Sequence, residues 1–157
     1  MRFNLLWIGK TREQWIRQGI DEYVGRLSHY LQVNITEIRE RARPGKRSPS
    51  GVMKMEAEQI LKALPKGNVH VAVLDCKGRK FTSEGLAGFL SRLEDDGYRE
   101  VCWITGGAYG LDRSILQRAD SAISLSDMTF THEMARVILA EQLYRACTIR
   151  KGEKYHH

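Results

Sequence analysis

The chain alternates between short apolar runs and longer segments in which apolar residues recur at helical spacing. Continuous apolar runs are typical of strands covered on both faces, and steps of three and four residues are typical of amphipathic helices. The predicted buried strands are residues 3–8, 69–75, 101–104 and 121–126. The predicted helices begin near Thr11, Val52, Thr82 and Thr131. Residues 32–39 alternate instead, which predicts a strand near the edge of the sheet.

This order of elements predicts an α/β fold, with a mainly parallel sheet and helices on both faces. Right-handed crossovers bring the strand ends at Leu74, Ile104 and Ser126 to one side of that sheet. Ligands of open α/β sheets bind outside the carboxyl ends of the strands, so three loops are expected to frame one cleft. The length of 157 residues predicts a single domain over residues 1–157.

Composition narrows the class of protein and of partner. No apolar run approaches the roughly 20 residues that a membrane span needs, so no membrane partner is expected. Three cysteines without a CxxC pair favour a reducing cytoplasm, and Cys102 and Cys147 lie in apolar patterns that predict core positions. The net charge of +6 favours phosphate-rich partners such as nucleic acids.

Residues 39–51 form a basic segment rich in proline and glycine, which predicts a flexible loop. One interpretation is an arm that contacts RNA phosphates, and the other is a solvated connector. The tail, residues 149–157, is also basic and ends in Tyr155, His156 and His157. It is either a frayed terminus, with its last histidines left from a cloning tag, or a nucleic-acid contact in which Tyr155 stacks and His156 exchanges a proton.

The strand end at Ile104 leads into a glycine-rich turn, residues 106–110, with the pattern GGxxG. This pattern is neither a P-loop nor a GxGxxG dinucleotide motif, so a tight structural turn explains it as well as a binding loop does. Residues 124–130 combine hydroxyl groups, backbone groups and apolar side chains, which suits a ligand with an adenine ring, a ribose and a sulfur. The helix after Thr131 is apolar on more than one face, which predicts a homodimer.

Five motifs in this order resemble the RlmH (YbeA) family, which belongs to the SPOUT class of RNA methyltransferases. They are the dipeptide at Leu74, the run ITGGAYGL from Ile104, SLSDMTFTH from Ser124, RVILAEQLYRA from Arg136 and the closing Tyr155-His156. The resemblance covers essentially the whole chain. It implies an enzyme that uses S-adenosylmethionine to methylate N3 of a pseudouridine in 23S ribosomal RNA on the assembled ribosome. It also implies a homodimer and a C-terminal trefoil knot.

The resemblance also assigns residues to the site. It implies RNA contacts at Arg145, Tyr155 and His156, and it implies no metal. The implied cofactor contacts are Leu74, Gly106, Leu125, Ser126, Asp127, Met128, Thr129 and Phe130. His156 and Asp127 are the candidates for the catalytic proton acceptor, His156 because a histidine titrates near neutral pH. Two competing hypotheses are a non-catalytic ribosome-binding protein of the same fold and a nucleotide-binding regulator that uses the glycine-rich turn.

Overall fold

Five parallel strands form the centre of the protein, in the order β2-β1-β4-β3-β5. The structure is a computed structural model that describes residues 1–40 and 48–155. The strands are β1 (Arg2–Ile8), β2 (Gln32–Ile38), β3 (Val69–Lys80), β4 (Glu100–Thr105) and β5 (Ser121–Ser124). The helices are α1 (Gln14–Leu27), α2 (Pro49–Ala63), α3 (Ser83–Asp95), α4 (Arg113–Arg118) and α5 (His132–Arg150). The predicted parallel sheet is confirmed, with β2 at one edge and β1 inside it.

Two cores, one on each face of the sheet, follow from the alternation of side chains along the buried strands. Leu5 and Trp7 of β1 enter the core that α1, α3 and α5 cover. Leu6 and Ile8 enter the opposite core, with apolar residues of α2 and α4. The prediction of helices on both faces is therefore confirmed. The buried cysteines 102 and 147 are core residues, one on each face.

Strand β3 extends further than its sequence predicts. The pattern placed a loop after Leu74, but β3 resumes pairing with β5 beyond an irregularity between Leu74 and Arg79. A β-carbon on Gly78 would lie 2.5 Å from the backbone nitrogen of Ile123, so only glycine permits this close approach of the two strands. The prediction of a loop there is wrong because the second half of β3 has polar residues, and pairing with β5 rather than an apolar pattern makes it a strand.

Three predicted boundaries also need correction. Thr11 does not cap α1: the helix begins at Gln14 after Glu13, and Thr11 is buried in a contact described below. The predicted loop over residues 39–51 ends earlier, because Pro49 opens α2 and the Ser48 hydroxyl accepts a hydrogen bond from the Gly51 N–H at 3.2 Å. The predicted tail over residues 149–157 begins later, because α5 continues to Arg150.

The caps of the two other long helices are confirmed. The Thr82 hydroxyl accepts from the Gly85 N–H, and the Thr131 hydroxyl accepts from the Met134 N–H. Thr131 thereby fixes the start of α5 directly after the loop that follows β5. Among the helices of residues 1–40 and 48–155, none combines the length and the apolar character that crossing a membrane requires.

Candidate cofactor cavity at the strand ends

A cavity of about 470 Å³ lies where β4 and β5 end, beside the irregularity of β3 between Leu74 and Arg79. Its volume is within the range of small-molecule sites, roughly 300–1,000 Å³. The first turn of α5 closes one side with His132 and Ala135. The predicted cleft is present at this position, but two loops and the irregular part of β3 frame it instead of three loops. Its lining from β3 to the α5 cap is Leu74, Asp75, Cys76, Thr105, Gly106, Gly107, Ala108, Gly110, Leu111, Ile123, Ser124, Leu125, Ser126, Met128, Thr129, Phe130 and Thr131.

The structure brings most of the expected cofactor contacts together around this cavity. Those that line it are Leu74, Gly106, Leu125, Ser126, Met128, Thr129 and Phe130. Asp127 does not line it: its side chain is 82% exposed and its carboxylate forms an ion pair with Lys80. The backbone of the loop that carries Asp127 still borders the cavity on both sides of this residue.

The glycine-rich turn is both a tight turn and a wall of the cavity, so the two interpretations of its sequence are compatible. The Gly110 N–H donates to the Gly107 carbonyl at 3.1 Å, and Gly110 has a φ of 84°. A β-carbon on Gly106 would lie 2.8 Å from the carbonyl carbon of Gly110. Since that neighbour is backbone, a side chain at Gly106 displaces the turn itself.

The loop after β5 is shaped by its own hydroxyl groups. The Ser124 hydroxyl donates to the Ser126 carbonyl, and the Ser126 hydroxyl accepts from the Met128 N–H, both at 3.0 Å. Met128 is consequently turned outward and is 73% exposed. On the opposite wall, the Thr105 hydroxyl is buried and has no hydrogen-bond partner within residues 1–40 and 48–155. A ligand in the cavity is the natural source of that partner.

Titratable groups that sequence reasoning missed also surround the cavity. His132, Asp75 and Cys76 line it, and the carboxylate of Glu56 in α2 lies against Gly107 behind the glycine-rich turn. Burial first, and then the nearby Glu40, raise the pKa of Glu56 to about 7. The position of His132, directly after the cap residue Thr131, was the one signal in the sequence that pointed to the cavity. Nothing in the pattern of α2 distinguished Glu56 from a surface carboxylate.

The two described residues with an expected RNA role, Arg145 and Tyr155, form one cluster at the far end of α5. The Arg145 guanidinium donates to Glu141 and lies 4.8 Å from the centre of the Tyr155 ring. Tyr144 packs edge-on against Tyr155. Burial first, and then a hydrogen bond with Tyr23, raise the pKa of Tyr155 to about 12, so its hydroxyl is neutral at pH 7. Neither Arg145 nor Tyr155 lines the cavity.

Some expected features lie outside the described residues or outside the cavity. His156 and His157 are beyond Tyr155, and residues 41–47 of the basic segment are also outside the described ranges. His70 is a structural residue of β3, with Nε2 at 2.9 Å from the Ser121 hydroxyl. Across the part of the chain that the structure describes, no group of three or more His, Cys, Asp and Glu side chains is arranged for a metal ion.

Comparisons with a family model and with individual proteins agree on one family. Residues 1–156 match the family described as "Predicted SPOUT methyltransferase". The chain is 45% identical to the protein of Geotalea daltonii named ribosomal RNA large subunit methyltransferase H, over the whole length of both proteins. The protein of the same name from Halothermothrix orenii is also 45% identical, over 99% of both chains.

One solved structure is similar to this protein in fold alone. It is a probable methylase family protein from Haemophilus influenzae, which is 12% identical, with a TM-score of 0.53 over 99% of this chain and 70% of the other.

Proposed function

The chain belongs to the SPOUT methyltransferase family, and from that premise we propose that it methylates large-subunit ribosomal RNA with S-adenosylmethionine as the methyl donor. The target in this proposal is N3 of a pseudouridine in 23S RNA, on the assembled ribosome in the cytoplasm. The full-length relatives named ribosomal RNA large subunit methyltransferase H support the RNA substrate. The observation that carries the proposal is the cavity between the irregular part of β3 and the carboxyl ends of β4 and β5, because it collects seven of the eight expected cofactor contacts.

The residues present fit S-adenosylmethionine. Thr105 offers a buried hydroxyl without a partner in the described chain, and the backbone around Gly106 and Leu125 can be approached closely. Leu111, Ile123 and Phe130 supply apolar walls for a ring. The bound cofactor supplies an activated methyl group on sulfur.

The contribution of the chain to methyl transfer is geometric. In-line displacement requires sulfur, methyl carbon and acceptor nitrogen in one line, and fixed geometry can supply roughly 7–11 kcal/mol of the barrier. The two loops that hold the cofactor begin at the ends of β4 and β5, which lie on either side of β3 in the sheet and are rigid supports. The apolar walls also keep water from the activated methyl group.

The RNA-binding part of the proposal uses Arg145, Tyr155 and His156 of a second subunit. Arg145 lies thirteen residues after His132 on one helix, which is roughly 20 Å at a rise of 1.5 Å per residue. Within one protomer the cluster at Arg145 is therefore far from the cofactor cavity. A homodimer that places the tail of one subunit over the cavity of the other brings the two together. Exposed apolar side chains near the cavity, Tyr109 and Met128, provide surface for such an interface.

The remaining parts of the proposal concern the fold. Residues 1–157 act as one SPOUT-type domain, and the C-terminal part is threaded as a trefoil knot, as the resemblance implies. The packing of α5 against both α1 and α3 supports a C-terminal helix that is held by two earlier elements. Asp127 remains a proposed cofactor contact through its backbone. Asp127 and His156 are candidate proton acceptors, each of which substitution tests.

Calorimetry with S-adenosylmethionine tests the cofactor site. We expect the intact protein to bind it, and we expect Gly106→Ala to weaken binding at least about tenfold because the added methyl group displaces the Gly110 backbone. Gly25→Ala is the matched control, since a β-carbon there meets nothing within 4 Å. Absence of binding to the intact protein, or preferential binding of ATP or NAD, would contradict the proposal.

Mixed dimers test the shared site. Subunits with Gly106→Ala lack a competent cavity, and subunits truncated before Tyr155 lack the tail. Mixing the two inactive proteins should restore activity, because one cavity then faces one intact tail. If mixing restores no activity although native mass spectrometry resolves dimers of one 18.0 kDa chain and one truncated chain, the shared site is wrong.

A further inference from the structure

The first turn of α5 connects the cofactor cavity to the segment between β1 and α1. His132 and Ala135 face the cavity, whereas Glu133 and Arg136 face away from it. The carboxylate of Glu133 accepts hydrogen bonds from the backbone N–H groups of Arg12 and Glu13, each at 3.1 Å. This turn is therefore bound to a neighbouring element on the side opposite the cavity.

Two further contacts make this turn rigid. Arg136 is completely buried, and it donates to the Thr11 hydroxyl at 3.0 Å and to the Ile8 carbonyl. The Thr131 hydroxyl caps the turn at its start. A side chain on such an anchored turn is held in a defined direction. For His132 that direction is into the wall of the cavity.

The imidazole of His132 is available for proton transfer. Within residues 1–40 and 48–155 neither of its ring nitrogens takes part in a hydrogen bond of the folded chain. Burial first, and then the positive charge of Arg136, hold its pKa below the usual histidine value. Arg12, on the segment before α1, acts in the same direction, whereas Glu133 and Glu40 oppose it. At neutral pH the ring is thus uncharged and can accept a proton.

We propose that His132 is the catalytic base, which accepts the N3 proton of the target base during methyl transfer. This inference rests on the proposed function. The N3–H bond breaks and its proton goes to a ring nitrogen of His132, while the nitrogen electron pair forms the new bond to the methyl carbon. The carbon–sulfur bond breaks with its electron pair on sulfur, which neutralises the sulfonium charge. The imidazolium then releases its proton to water.

Two aspartates near the cavity are less suited to this step. Asp127 points to solvent and is paired with Lys80. Asp75 uses its carboxylate to accept the backbone N–H of Lys77 at 2.7 Å. Of the side chains that line the cavity, His132 is the one whose residue type titrates near neutral pH.

Single-turnover methylation and histidine NMR test the role of His132. His132→Gln should lower the rate of methyl transfer about 10²- to 10⁴-fold, which is the usual contribution of a positioned general base. Its affinity for S-adenosylhomocysteine should stay within about threefold of the unchanged protein, because a proton acceptor contributes to the chemical step rather than to cofactor binding. The activity of the unchanged protein should fall as the pH falls through the lowered pKa of His132. This acid limb of the pH–activity profile should be absent from His132→Gln. His29→Gln, at an exposed histidine after α1, is the matched control.

The NMR titration gives a readout that does not depend on activity. The ring signal missing from the His132→Gln spectrum should titrate below pH 6.5 in the unchanged protein and should shift when S-adenosylhomocysteine is added. An unshifted signal overturns the proposal. The proposal is also overturned if His132→Gln methylates at the normal rate and still loses activity at low pH. It is likewise overturned if the affinity of His132→Gln for S-adenosylhomocysteine falls by the same factor as its methylation rate. Assignment of the acid limb to His156 by His156→Gln also overturns it. If the unchanged protein transfers no methyl group to ribosomes, the proposed function fails instead.

Discussion

Cys76 is a single-residue probe of the cavity. It lines the cavity and is exposed, whereas Cys102 and Cys147 are buried. Burial raises the pKa of Cys102 to about 12 and that of Cys147 to about 11, so neither forms a thiolate at pH 8.

A thiol reagent should therefore modify one cysteine per native chain quickly. S-adenosylhomocysteine at ten times its Kd should slow that reaction about tenfold, because only the free cavity exposes Cys76. Spectrophotometry of the released thiolate measures both rates. Cys76→Ser should remove the fast reaction. An unchanged rate at saturating S-adenosylhomocysteine would place the ligand elsewhere.

Glu56 should make stability depend on pH. Its carboxyl group has a pKa of about 7 in the folded protein against an ordinary value of 4.5, so the folded state holds a proton that the unfolded state has already lost. The contribution of Glu56 to stability is complete below pH 4.5 and is lost as the pH rises through 7.

Glu56→Gln keeps the shape and cannot ionise. At pH 8 it should raise the free energy of unfolding by roughly 1–3 kcal/mol, and the gain should vanish near pH 5. Urea titrations at the two pH values measure it. Glu58→Gln, at an exposed position of α2, should show no such change. Parallel pH profiles for Glu56→Gln and the unchanged protein would contradict the assigned burial.

At the scale of elements, Arg136 joins α5 to the end of β1. Its guanidinium lies 5.2 Å from the centre of the Trp7 ring and donates to the carbonyl of Ile8, the last residue of β1, and to the hydroxyl of Thr11. Arg136→Met leaves the Ile8 carbonyl and the Thr11 hydroxyl without this charged donor, which should cost roughly 2–4 kcal/mol of unfolding free energy.

The control for this contact is Arg92→Met, at an exposed position of α3, which should stay within about 0.5 kcal/mol of the unchanged protein. Denaturant unfolding followed by circular dichroism measures both variants. A loss no larger for Arg136→Met than for Arg92→Met would mean that Arg136 does not hold the two elements together.

The sequence predicts well those elements that depend on their own residues and not on a distant partner. The buried runs at β1 and β4 and the caps Thr82 and Thr131 are local signals, and the structure confirms them. Thr11 has the same cap chemistry as Thr131, yet its hydroxyl accepts from Arg136, 125 residues away. The second half of β3 likewise depends on β5, a partner that local pattern does not reveal.

At the scale of the molecule, the sheet order determines where the site lies. Sequence predicted that the chain at Leu74, Ile104 and Ser126 meets on one side of the sheet, because parallel strands with right-handed crossovers leave little choice. It did not predict that Glu56 lies behind the glycine-rich turn or that His132 faces the cavity, since both positions follow from how α2 and α5 pack. The resemblance supplied the ligand, and the cavity supplies a place of suitable size and chemistry for it.

The most direct test of the central claim is mass mapping of modified bases in large-subunit ribosomal RNA from cells that lack the protein. We expect one methylated pseudouridine to be missing, to return with the unchanged gene or with Gly25→Ala, and to stay missing with Gly106→Ala. A map that is identical with and without the protein would contradict the assignment of this chain as a methyltransferase of large-subunit RNA.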